Sequence, residues 1–224
     1  MALNRELGLA CRYVDLNEVK DLVKRGASFK YPDDSLNRSP ARINSGSGFD
    51  FSLMLIDNFP LEVFDNFAEK ERAISPITER LKIIEFLFVS AERVGLIPER
   101  LLYFSICYEC DEIYGLLKKH GVSLPKDVKI RFVQQLNIDK RRSINSFRLS
   151  VAEIGLDYFD KFTKSKMKLL RYIIDNDAAD MLAKFEALNW FKHPDRLQEL
   201  ISYAADNKKP QCAAWLLEYS NRTR

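Results

Sequence analysis

Two thiols stand two residues apart in Cys107-Tyr108-Glu109-Cys110, the spacing used by zinc sites and by dithiol redox centres. Zinc needs four ligands, and neither a second cysteine pair nor a paired histidine follows, while Cys11 and Cys212 are isolated. A redox centre of this type would also want a thioredoxin-like strand-helix frame, which the pattern around Cys107 lacks. Acid–base chemistry has little to draw on. His120 precedes Gly121 at a helix end and His193 precedes Pro194 at a helix start, neither beside a nucleophile, and Asp175, Asp177 and Asp180 are scattered along helical segments. Gly46-Ser47-Gly48 has neither the lysine nor the strand-helix frame of a phosphate loop. Cys212-Ala213-Ala214-Trp215 is not a prenylation box, because residues follow Trp215. The expectation is a protein that is not an enzyme and carries neither metal nor cofactor.

The charge is uneven. The net charge is +3, but residues 121–170 hold eleven basic and five acidic side chains. Lys140, Arg141 and Arg142, then Lys161, Lys164, Lys166 and Lys168, could hold phosphates, with Phe147, Tyr158, Phe159 and Phe162 near enough in sequence for stacking. The plain alternative is a solvated lysine face over core aromatics, and a pI of 8.6 is modest for a dedicated nucleic-acid domain. Polyanion binding through residues 126–168 is therefore the second reading of function.

The elements that would carry these groups recur. Leu9-Ala10-Cys11 through Gly26-Ala27, Phe104-Ser105-Ile106 through Gly121-Val122, and Tyr203-Ala204-Ala205 through Leu216-Leu217 share one template, with Ala10, Ser105 and Ala204 in register. The spacings, 95 and 99 residues, are each close to three units of about 32–33 residues, a period that marks stacked arrays. Each copy reads as two short helices, with apolar positions such as Val19, Leu22 and Val23 at helical spacing. Small residues at the register position allow close helix packing, and Gly26 and Gly121 close the second helix.

These copies resemble the ankyrin repeat, clearest in Leu9-Ala10-Cys11…Glu18-Val19-Lys20-Asp21-Leu22-Val23-Lys24-Arg25-Gly26-Ala27. No copy has the Thr-Pro-Leu-His opening of that family, and Val14, Glu109 and Lys208 stand where its turn glycine would be. Further units are expected at 52–67, turned at Asn58-Phe59-Pro60, and at 172–185, with a long amphipathic helix over 77–93 and another start at Val128. The resemblance implies an all-α solenoid of stacked antiparallel helix pairs, about six to seven units. It would be one elongated domain over 1–224, with an irregular loop at 30–48.

Four cysteines, no apolar export segment at the start and no apolar run of membrane-spanning length lead to the expectation of a cytoplasmic protein away from the membrane. A solenoid offers a concave face, so the expected function is non-catalytic binding of a protein partner through first helices and inter-repeat loops. Arg12, Tyr13, Tyr31, Tyr108, Asp206 and Asn207 are the candidate contact residues. Tyrosine and arginine are the types that concentrate binding energy.

Overall fold

The computed structural model describes residues 2–28, 77–96, 98–107, 109–134 and 143–223. Among them every regular element is helical. The chain divides into two compact units, the first ending at Pro125 and the second continuing from Lys126 to the end of the chain. The helix pair expected at 52–67 and the loop at 30–48 lie outside the described residues.

The first unit begins with the pair α1 (Ala2–Arg12) and α2 (Leu16–Lys24). The start of α2 is fixed by Asp15, whose Oδ1 accepts the Glu18 N–H at 3.0 Å and satisfies one of the orphan donors of the first turn. Leu7, Ala10, Val19, Leu22 and Val23 form its buried seam. Next come α3 (Ile77–Val89) and α4 (Ala91–Val94). The single helix expected over 77–93 is broken at Ser90, a residue of modest helix propensity with φ −95° and ψ 13°. The pair α5 (Pro98–Cys107) and α6 (Asp111–Lys119) completes the unit. α3 packs against both α2 and α6, with Ile83, Ile84 and Leu87 buried. Its apolar composition on several faces suits a helix covered on more than one side. Lys20 of α2 lies 5.9 Å over the Phe86 ring, and Arg93 donates to the Lys24 carbonyl at the end of α2, 3.0 Å.

The second unit holds α7 (Lys126–Gln134), α8 (Ile144–Ile154) and α9 (Leu156–Phe162), then the pairs α10 (Lys166–Asp175) with α11 (Ala179–Glu186) and α12 (Pro194–Asp206) with α13 (Pro210–Arg222). Proline opens both α12 and α13, where its missing N–H costs nothing. The two pairs stack in kind, α10 on α12 and α11 on α13. The core where α8 and α9 meet the α10–α11 pair is aromatic. Phe147, Phe159 and Phe185 are fully buried, with ring centroids 5.9 Å apart for Phe147–Phe159 and 5.8 Å for Phe159–Phe185, both edge-to-face. Tyr172 meets Phe147 at 5.5 Å. Truncating one such ring to alanine would cost about 3–5 kcal/mol.

One turn joins the helices of four pairs among the described residues. The carbonyls of Ala10, Ser105, Ile173 and Ala204 accept the N–H five residues on, from Asp15 (3.0 Å), Cys110 (2.9 Å), Ala178 (3.2 Å) and Lys209 (2.9 Å). Four residues after each of these carbonyls the backbone turns left-handed, at Val14 (φ 60°), Glu109 (φ 59°), Asp177 (φ 50°) and Lys208 (φ 55°). This is the Schellman closure of a first helix. The register read from Ala10, Ser105 and Ala204 thus has a physical basis: all three are buried, and each provides the carbonyl that ends its helix. Ile173 does the same for a fourth pair. Gly26 and Gly121 close second helices at φ 93° and 76°, as expected.

Candidate interaction surface

The tips of these turns position the candidate contact residues. Tyr13 immediately precedes the left-handed Val14 and is 76% exposed, with Leu9 one turn earlier at 39%. Arg12 ends α1, its side chain lying outside the described set. Asp206 ends α12 and Asn207 caps it, both exposed. The Asn207 amide donates to the Tyr203 carbonyl at 2.8 Å, and Asn176, at the same position of its pair, donates to the Tyr172 carbonyl at 2.9 Å. These asparagines hold last-turn carbonyls while their backbones prepare the left-handed step. Tyr31 and Tyr108 lie outside the described residues.

Between α10 and α12 a polar strip is already assembled. The Arg171 guanidinium lies 5.2 Å over the Tyr203 ring and pairs with Glu199. Tyr203 donates its hydroxyl to Asp175 Oδ1 at 2.8 Å, and that hydrogen bond to a carboxylate is the main reason its phenol is pushed above the ordinary tyrosine range. The Lys209 ammonium bonds the Asp175 carbonyl. Held this way, long side chains have less rotamer freedom left to lose on meeting a partner. Arg171, Asp175, Glu199 and Tyr203 are not among the contact residues expected from the sequence. The signal was present in the 31 residues separating Ile173 from Ala204, which put Tyr172 and Tyr203 at one repeat position.

A second cross-link joins α8 to α11. Arg148 donates from Nε and Nη2 to the two carboxylate oxygens of Asp180, 3.0 and 2.8 Å. This fork raises the arginine above its usual range and lowers the aspartate below its own.

The basic candidates separate. Lys140, Arg141 and Arg142 lie outside the described residues. The Lys166 ammonium sits 2.6 Å from Asp160 and 4.8 Å over the Trp190 ring, so a phosphate there would compete with an ion pair within the fold. Phe147 and Phe159 are corrected as stacking platforms, since both are wholly in the core. Lys164 and Lys168 are exposed, while Tyr158 and Phe162 are half-buried.

Cys107 ends α5, and Cys110 occupies the N-cap position of α6. Cys212 is buried in the first turn of α13, and burial, with Asp177's charge second, pushes its thiol up to about 12. Among the described residues no group of three or more His, Cys, Asp or Glu side chains could hold a metal ion, and no described helix is long and apolar enough to cross a membrane. The chain matches no protein-family model, no curated protein and no solved structure.

Proposed function

We propose that this protein is a non-catalytic interaction module, an ankyrin-like helical array that binds a protein partner through the tips and exposed faces of its first helices. The observation that carries the reading is the shared turn. Val14, Glu109, Asp177 and Lys208 adopt a left-handed conformation that glycine would adopt with less strain. Keeping side chains there favours turn tips that present chemistry over turn tips that merely close. The exposed Tyr13 and the preassembled Arg171–Tyr203 strip support the same reading, because both offer large amphipathic groups at modest entropic cost. Stacking of α10 on α12 and α11 on α13 supports the array. The four free cysteines accord with a reducing cytoplasm.

The test is a photo-crosslinking group placed at position 13 or 207 in the full chain, used in lysate of the source cell. A defined protein should crosslink from these positions and not from position 217 on α13, and its recovery by affinity capture should fall with Tyr13→Ala and Asn207→Ala. Equal recovery by wild type, Arg12→Ala, Tyr13→Ala and Asn207→Ala overturns the assignment of this surface.

A further inference from the structure

The end of α9 and the first turn of α10 form a ledge on the second unit in which aromatic and cationic groups are sorted by use. Phe159 points into the core and is 0% exposed. Tyr158 and Phe162, one helical turn apart, remain half-buried with ring centroids 6.0 Å apart and planes at 38°. The Lys161 ammonium lies 5.5 Å over the Phe162 ring. Lys164 follows in the connection, and Lys168 sits in the first turn of α10, which contains no acidic residue.

Charge around the ledge is unbalanced. Asp160 is occupied, since its Oδ1 accepts from Lys166 at 2.6 Å and from the Trp190 indole N–H at 2.7 Å. Asp157, exposed one turn before Lys161, is the nearby carboxylate left on α9. Among the described residues Lys161, Lys164 and Lys168 form no ion pair. One exposed ammonium, that of Lys161, therefore lies over a half-buried ring, and the exposed Lys164 and Lys168 follow it closely along the chain. Ammoniums hold phosphates and release counterions, while ring faces stack on bases of any sequence. A duplex keeps its bases stacked on one another and would use the lysines alone, whereas a single strand offers its phosphates to the lysines and its free base faces to the rings.

We propose that the ledge of Tyr158, Lys161, Phe162, Lys164 and Lys168 binds single-stranded nucleic acid without sequence preference. It stands apart from the protein-binding reading, which uses other residues.

The experiment is fluorescence anisotropy of the full chain with a labelled oligothymidylate about twenty nucleotides long, at several salt concentrations. Affinity should fall with salt, and the triple variant Lys161→Gln, Lys164→Gln, Lys168→Gln should flatten the log–log slope by about 2. Tyr158→Leu and Phe162→Leu should each weaken binding about tenfold at fixed salt and leave the slope unchanged. Phe162→Tyr should bind like wild type, which separates stacking from folding, and Lys208→Gln in a distant turn should have no effect. Absence of binding at low salt overturns the proposal. So does wild-type affinity in the two leucine variants, which would mark a plain cationic field suited to an acidic protein or membrane surface.

Discussion

Asp177, in the turn between α10 and α11, accepts the backbone N–H of Cys212 in the first turn of α13, 2.9 Å from Oδ1. Its other oxygen faces the Gln211 N–H at 3.4 Å. The residue in the N-cap position of α13 is Lys209, whose side chain makes no cap. One helix pair thus supplies the missing cap of the next, and the carboxylate also meets the positive end of the helix dipole. Aspartate suits this place twice, because it tolerates the left-handed backbone at φ 50° better than most residues do.

Replacing Asp177 tests the two roles together. Asp177→Asn keeps both an acceptor and tolerance of the left-handed turn, and should change stability by under about 0.5 kcal/mol. Asp177→Ala loses the cap and strains the turn, and should cost about 2 kcal/mol. Urea titration of the two variants checks the difference; equal losses would mean that neither the cap nor the tolerance of the turn carries the effect.

The same contact bears on thiol chemistry. Burial is the leading reason that Cys212 is pushed up to about 12, so its thiolate is scarce at neutral pH. Native protein at pH 8 should leave Cys212 unalkylated by iodoacetamide, and the modification should appear only once the chain is unfolded. Asp177→Asn should not expose it either, because desolvation outweighs the aspartate's charge. Peptide mass mapping reads both outcomes.

Backbone strain gives substitutions of opposite sign. Lys208 is exposed and left-handed at φ 55°, so Lys208→Gly relieves about 1–2 kcal/mol of strain against about 0.5–1 kcal/mol of added chain entropy. Its Tm should rise by a few degrees. Gly155, between α8 and α9, has φ 89° and ψ 147°, a region open almost only to glycine. A Cβ there would meet no heavy atom within 4 Å, so the loss of about 1–3 kcal/mol expected for Gly155→Ala is conformational rather than steric. Thermal melts of the two variants should move in opposite directions.

What the sequence made legible follows from range. The first-helix closures were readable because they are local: a small buried residue, a turn four residues on, then helical spacing. Gly26 and Gly121 followed from the same rule. The Asp177–Cys212 cap was hidden because it joins residues 35 apart, and nothing at Lys209 advertises that its helix is capped from elsewhere. Phe159 and Tyr158 are adjacent in sequence and opposite in environment, so spacing alone could not divide core rings from accessible ones. Lys166 read like Lys164 and Lys168 until Asp160 and Trp190 were placed around it.

Lys129 of α7 donates to the Glu153 carbonyl at 2.9 Å and lies 3.4 Å from that residue's carboxylate, whose side chain is fully buried. Removing one partner of a buried pair costs more than removing both, because the remaining charge loses its compensation. Lys129→Met should destabilise the protein by about 3 kcal/mol. The double variant Lys129→Met, Glu153→Leu should recover most of that loss. Equal stabilities for the single and double variants in urea titration would show that this pair does not hold α7 to α8.

Asp160 supplies a pH readout, since its carboxylate is held below the usual range first by the hydrogen bond from Lys166 and then by that from the Trp190 indole. A carboxyl depressed in the folded state contributes in full above the unfolded value, and that contribution is lost as pH falls through the folded value. The site is partly exposed, so the effect on overall stability is muted by solvent. Its effect on the indole is direct, because protonation removes the charge that strengthens the 2.7 Å bond and frees Lys166 from its ion pair beside the ring. Trp190 emission should therefore stay constant from neutral pH through the ordinary carboxylate range and change only below it. Trp215, which stacks on Tyr219 at 5.6 Å, contributes a second signal that Trp215→Phe removes. Asp160→Asn should abolish the acid transition in that background. If the transition persists unchanged in Asp160→Asn, another group controls the indole, and the assigned link between Asp160 and Trp190 fails.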